Sequence, residues 1–166
     1  MNGGMTAHLL RATPEELNDY LNNSNLLAQR VQGDDAVPDD RRYDIDQSWD
    51  GIIYLLSGQN SSADHPLAKI IFSNSLIDKE QDLGTGPAHY LLPAQVQELQ
   101  ASLVKIQPEA LKARFNATEM KAAGIYPANA WEQEGTDDYL VEYFELLQEI
   151  MTMAVRNGEA LITFIQ

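Results

Sequence analysis

The segment Leu161-Ile162-Thr163-Phe164-Ile165 is apolar at odd and even positions alike. Side chains on a strand alternate between the two faces of a sheet. Leu161, Ile162, Phe164 and Ile165 therefore ask for cover on both faces, which predicts a strand in a central or well-covered position. The same property predicts that a chain lacking its last six residues does not fold. Near the other end, Met5 to Arg11 reads as a second strand, with Met5, Ala7 and Leu9 facing one way and Thr6, His8 and Leu10 the other. Helical patterns fill most of the sequence between. The expectation is an α+β fold: a single domain over residues 1–166, with a small mixed sheet that holds the N- and C-terminal strands under several helices. A chain of 166 residues is long enough for a real core.

The richest stretch is Tyr43 to Gly58. Asp46 suits an N-cap, because a carboxylate there accepts from unpaired N–H groups of the first turn. Asp50 sits about one turn in, near the positive end of the helix dipole. Trp49, Ile52, Ile53 and Leu56 fall at i, i+3, i+4 and i+7, which makes one buried stripe. Gly58 suits the left-handed position that ends a helix. An EF-hand loop starting at Asp44 needs Gly at its sixth position and Glu at its twelfth. Those positions hold Trp49 and Leu55, so that metal loop is absent.

Other helices announce themselves by local signals. Thr13-Pro14-Glu15-Glu16 is a helix start with Thr as N-cap and Pro at N1, and it predicts burial of Leu17, Tyr20 and Leu21. Asn22 to Asn25 breaks that helix, and Leu26 to Gln32 resumes it for a turn or two. Gly33 to Arg42, with Pro38 and four aspartates, has loop composition. Gln59 to His65 is a second loop, and His65 is extended because Pro66 follows. Leu67 to Ser73 reads as a helical turn running into irregular structure. Lys79 to Asp82 is a solvated turn. Leu83-Gly84-Thr85-Gly86-Pro87 lacks both the Gly-Lys-Ser/Thr of a phosphate loop and the spaced glycines of a dinucleotide fingerprint, so it is a turn and no cofactor is expected.

Ala88 to Leu92 reads as a strand. Pro93 opens a helix that buries Val96, Leu99 and Leu103. Short helices follow at Pro108 and Thr118. The last helix starts at Thr136, read as its cap, and buries Leu140, Tyr143, Phe144, Leu147, Ile150, Met151 and Ala154, with Gly158 at its end.

Tyr43 to Gly58 resembles the signature of the YfbM-like family of small bacterial proteins of unknown function, whose pattern runs roughly Asp-x-Asp-Lys-x-Trp-Asp-x-Ile-His. Asp44, Asp46, Trp49, Asp50 and Ile52 match it. Gln47 stands where the family often has Lys, and Ile53 where it often has His. The resemblance extends through Thr13 to Leu17, Gly86 to Leu91, Ile125-Tyr126-Pro127 and Gly158-Glu159-Ala160. It implies an α+β fold and brings no settled activity. A catalytic role of the family's His would be missing in this member.

Composition narrows the function classes. Net charge is −14, from 25 acids against 11 bases. Such a chain repels phosphate backbones and anionic membranes, so neither nucleic acid nor membrane is expected as a partner. A basic protein is electrostatically welcome. Seven acids lie between Trp131 and Met151, and no base lies between Lys121 and Arg156. The chain has no cysteine, which removes thiol chemistry and cysteine-ligated metals and fits a reducing cytoplasm. Met1 to Met5 has neither the basic nor the apolar region of a signal peptide, so the expected address is the cytoplasm.

Three function classes follow. The first is a non-catalytic interaction or regulatory module for a basic protein, docking along Glu132–Glu149; an immunity-type partner of a basic toxin belongs here. The second is a small metal-dependent hydrolase using Asp44, Asp46, Asp50 and His89, which requires those groups to meet in one cleft. The third is a small-molecule pocket walled by Trp49, Tyr90, Tyr126 and Trp131. His8 and His89 read first as structural histidines. No residue is assigned a catalytic role, no metal is expected, and the balance is against an enzyme.

Overall fold

The structure is a computed structural model that describes residues 4–32 and 39–166. In chain order it runs β1 (Ala7–Ala12), α1 (Pro14–Asn22), α2 (Ser24–Gln32), β2 (Arg42–Asp44), a 3-10 turn (Asp46–Ser48) and α3 (Trp49–Ser57). A second 3-10 turn (Pro66–Ile70) and β3 (His89–Leu91) follow. Then come α4 (Pro93–Leu103), α5 (Pro108–Lys112), α6 (Ala117–Ala122), α7 (Thr136–Arg156) and β4 (Ala160–Ile165). The part of the expected connector at residues 33–38 lies outside the described residues.

The four strands lie in the order β2-β1-β4-β3. The expected mixed sheet is antiparallel at every pairing. The two ends of the chain run side by side at its centre, from Ala7↔Ile165 to Ala12↔Ala160. All six residues of β4 are buried, as its two-faced apolar pattern requires. The outer edge of β3 is closed by the 75–77 segment: Tyr90 N–H donates to the Ser75 carbonyl (2.8 Å) and Ile77 N–H to that of Ala88 (2.9 Å).

The alternation along β1 and β4 splits the core in two. Ala7, Leu9, Leu161 and Ile165 join the side chains of α3, α4 and α7 on one face. Leu10, Ala12, Ile162 and Phe164 meet Leu17 and Tyr20 of α1 and Leu27 and Val31 of α2 on the other. The sheet is thus a middle layer between two helical layers. The start of α1 is a capping box, with Thr13 Oγ1 accepting from Glu16 N–H (3.1 Å) and Glu16 Oε1 from Thr13 N–H (2.8 Å). Leu21, expected inside, is 40% exposed. It sits at the last turn of a two-turn helix, where the stripe of Leu17 and Tyr20 already covers the sheet.

Glu16 also ties this layer together. Its carboxylate takes both Arg41 Nη1 (2.6 Å) and Arg30 Nη1 (2.9 Å), and Arg30 Nε reaches Asp39 (2.8 Å). These bonds fasten α1 and α2 to the segment that enters β2. Hydrogen bonds from Arg41 hold the Glu16 carboxyl down at about 2, against a smaller opposing effect of burial.

Candidate functional site

The start of α3 is built by tertiary contacts rather than by a local cap. Asp44 Oδ1 accepts from Asp46 N–H (2.7 Å). Asp46 takes a left-handed conformation, φ 55°, which Asp tolerates better than most residues. Ser48 precedes α3 and makes no side-chain cap bond. The expected cap, Asp46, accepts instead from the Tyr139 hydroxyl at 2.6 Å through Oδ2. The phenol oxygen in turn accepts from Gln47 N–H at 3.1 Å. Gln47 belongs to the 3-10 turn that leads into α3, whose N-cap Ile45 makes no side-chain cap bond, so Tyr139 supplies the acceptor that this turn lacks. Burial pushes the Tyr139 phenol well above its ordinary value, and its bond to Asp46 adds to that.

Asp50 does something else. It is only 4% exposed, and its Oδ2 accepts from Tyr126 N–H at 2.9 Å. Its Oδ1 is buried without a hydrogen-bond partner among the described residues. Burial raises the Asp50 carboxyl above its ordinary range, with the Tyr126 and Ser61 N–H groups pulling the other way.

Trp49, Tyr126 and His89 meet through aromatic packing. Trp49 stacks on Tyr126, centroids 5.3 Å apart, and meets the edge of Phe72 at 5.7 Å. Phe72 meets His89 at 5.4 Å. The Trp49 indole donates to the Met5 carbonyl (2.9 Å), and Met5 N–H donates to the Tyr126 hydroxyl (2.6 Å). His89 Nδ1 accepts from Asn74 N–H (3.0 Å), and burial lowers its pKa. Tyr90, next along β3, packs against the opposite core, so the four aromatic residues expected to wall one pocket are divided by the sheet. Trp131 is 3% exposed and donates to the Ile125 carbonyl (2.8 Å).

The carboxylates do not gather. Asp44 is exposed and bound to the backbone of Asp46, Asp46 is held by Tyr139, and Asp50 is buried against Tyr126. No hydrogen bond joins any of them to His89 among the described residues. Among those residues no group of three or more His, Asp or Glu side chains is placed to hold a metal ion.

Two of the expected residues, Asp46 and Trp131, do meet, at a cleft of about 210 Å³. Asp46, Gln47 and Tyr139 line it together with Pro127, Ala130 and Gln133. Tyr143 stands beside it, edge-on to Tyr139 at 5.1 Å. Burial raises the Tyr143 phenol, and the charges of Asp46, Asp44 and Glu142 raise it further. The expected cap of α7 shifts by one residue: Gly135 is the N-cap in a left-handed conformation. Thr136 is the first helical residue and donates to the carbonyls of Trp131 (3.1 Å) and Gln133 (3.0 Å).

Along α7 the residues Asp138, Glu142, Glu145 and Glu149 are exposed. Their spacing of four, three and four puts them on one face. Asp138 pairs with Lys112 at 2.7 Å, and the other three have no basic partner among the described residues. Tyr139 was not singled out by its pattern. Its partner Asp46 is 93 positions away, and no periodicity reports such a contact.

No curated protein matches the chain. Among solved structures it resembles the protein of unknown function YfbM from Escherichia coli, with a TM-score of 0.74 at 17% identity over 97% of this chain and 99% of that one. At that identity the likeness shows the fold. A family model, "Domain of unknown function (DUF1877)", matches residues 4–164, and the chain belongs to that family.

Proposed function

We propose that this protein is a non-catalytic interaction module that docks a basic protein along the outer face of α7. The observation that carries this reading is the row Asp138, Glu142, Glu145 and Glu149, in which only Asp138 has a basic neighbour among the described residues. At about 1.5 Å rise per residue the row is roughly 16 Å long, the scale of one partner helix or strand. Concentrated negative charge speeds encounter with a positive partner and rejects anionic ones. The net charge of −14 supports the same choice and argues against nucleic acid.

An immunity protein that neutralises a basic toxin is one member of this class. The reading places the protein in a bacterial cytoplasm, supported by the lack of cysteine and by the family resemblance. No helix among the described residues is long and apolar enough to cross a membrane. The metal-dependent hydrolase reading has no grouped ligands behind it, since Asp44, Asp46 and Asp50 each accept from a different donor.

The test is capture from the source organism with the wild type and with the triple variant Glu142→Gln/Glu145→Gln/Glu149→Gln as baits. A stoichiometric basic protein held by the wild type, released by salt and absent from the variant, is the expected result. Equal capture by both baits would remove α7 as the docking face.

A further inference from the structure

We propose that the cleft beside Asp46 receives a cationic side chain of the basic partner, arginine in the first place, and so anchors the complex; this rests on the interaction reading above. The cleft holds about 210 Å³, below the roughly 300–1,000 Å³ of pockets that enclose whole small ligands. It has room for one long side chain. Its walls differ in kind. Pro127 and Ala130 offer an apolar surface, which suits the methylene stem of a long cationic residue. Asp46 lines the same cleft, with Oδ2 engaged by Tyr139 and Oδ1 carrying no hydrogen bond among the described residues. The Gln133 side chain also makes none there, although its backbone does.

A guanidinium fits these groups better than an ammonium. It is planar, offers several N–H donors in a fixed fork, and sheds water more readily. The acceptors that line the cleft, the Asp46 carboxylate and the Gln133 amide, and the Tyr139 ring beside them are the groups that a guanidinium engages by N–H donation and by its face. Asp44 and Glu142 lie close enough to act on the neighbouring Tyr143 phenol, so the local field is negative beyond Asp46 itself. The cleft borders the face of the acidic row: Tyr139, which lines it, lies about a quarter turn round α7 from that face, and Glu142 lies about one turn further along. A buried anchor beside a polar rim is the usual energetic layout of a protein interface.

The probe is a labelled peptide of nine arginines, titrated by fluorescence anisotropy, with a nine-lysine peptide in parallel. Asp46→Asn keeps an acceptor for Tyr139 and removes the charge. Ala130→Trp fills the cleft and changes no charge, with circular dichroism melting to confirm that it folds. Asp19→Asn, on the exposed side of α1, measures what the loss of any one acid does. The expected result is about a tenfold loss for Asp46→Asn and Ala130→Trp, less than twofold for Asp19→Asn, and tighter binding of the arginine than the lysine peptide. In wild-type spectra the Trp131 indole N–H resonance moves with N-acetylarginine amide more than with acetylated lysine amide.

If Asp46→Asn matches Asp19→Asn and Ala130→Trp binds like wild type, while the α7 triple glutamine variant binds weakly, the anchor is wrong and the docking face stands. If the triple variant also binds like wild type, or the arginine peptide does not bind at all, both proposals fall.

Discussion

The Tyr139 hydroxyl joins two places 93 positions apart in the chain, donating to Asp46 Oδ2 at 2.6 Å while accepting from Gln47 N–H at 3.1 Å. One oxygen thus serves the backbone at the entry to α3 and holds the carboxylate that borders the cleft. The first N–H groups of a helical turn have no partner within it, and Ile45, which precedes the 3-10 turn Asp46–Ser48, makes no side-chain cap bond. The phenol fills that role from another helix.

Tyr139→Phe removes both bonds with little change in shape. It leaves Gln47 N–H and Asp46 short of a partner, so a loss of about 1–3 kcal/mol is expected. Urea unfolding with an unchanged slope checks this. A loss below about 0.5 kcal/mol would mean that water replaces the phenol at no cost.

Asp50 makes stability fall as pH rises. Its carboxyl is raised above the ordinary range by burial, so the folded state favours the neutral form. That contribution is complete below the ordinary carboxylate value and is lost as pH rises through the raised one. Asp50→Asn keeps an acceptor for Tyr126 N–H and carries no charge. Its stability relative to wild type should therefore grow as pH rises from below the ordinary carboxylate value toward neutrality. A difference constant across that range would show that Asp50 is not the titrating group.

Glu16 acts in the opposite sense. Its pKa is lowered from 4.5 to about 2 by Arg41 first and then, against some desolvation, by Thr13 and Arg30. The stability it supplies is present above the ordinary value and lost as pH falls through about 2. Glu16→Gln should cost about 2 kcal/mol at neutral pH, allowing for the partial exposure of the carboxylate, and almost nothing near pH 2. Guanidinium would screen these pairs, so urea at several pH values is the measurement.

At Gly51 the α3 backbone comes close to Trp131 and Leu140. A Cβ there would lie 2.7 Å from Trp131 Cη2 and 2.8 Å from Leu140 Cδ2. Gly51→Ala gains up to about 1 kcal/mol in helix propensity. Overpacking against two buried side chains costs about 1–3 kcal/mol, so a net loss and a lower melting temperature are expected. A higher melting temperature would mean that Trp131 moves freely.

Deleting Leu161–Gln166 removes most of β4, the strand that pairs with both β1 and β3. The two cores then lose the layer that separates them. No cooperative thermal transition is expected from the shortened chain, and a sharp transition near the wild-type temperature would contradict this.

Much of the architecture was legible from local chemistry. Thr13 and Glu16 are three residues apart, so their reciprocal cap needs no tertiary partner. Gly58 and Gly158 end their helices at the expected places with φ of 77° and 64°. Trp49, Ile52, Ile53 and Leu56 are all buried, because a 3.6-residue period collects them on one side of α3. The two apolar faces of Leu161 to Ile165 required a central strand, and the order β2-β1-β4-β3 provides one.

The candidate site was legible only in its parts. Asp46, Asp50 and Trp131 stood out in the chain, yet nothing local could say which partner each would take. Asp46 suits a cap by its chemistry, yet it opens a 3-10 turn three residues before α3, and its carboxylate takes the Tyr139 hydroxyl from α7. Tyr90 and His89 are neighbours in sequence and lie on opposite faces of the sheet, as the pleat demands. Capping and periodic burial depend on residues a few positions apart, so local pattern was enough to place most of the helices and turns and to call for β4 at the centre. Which carboxylate meets which tyrosine depends on how the helical layers settle against the sheet, and that was decided only when the chain closed on itself.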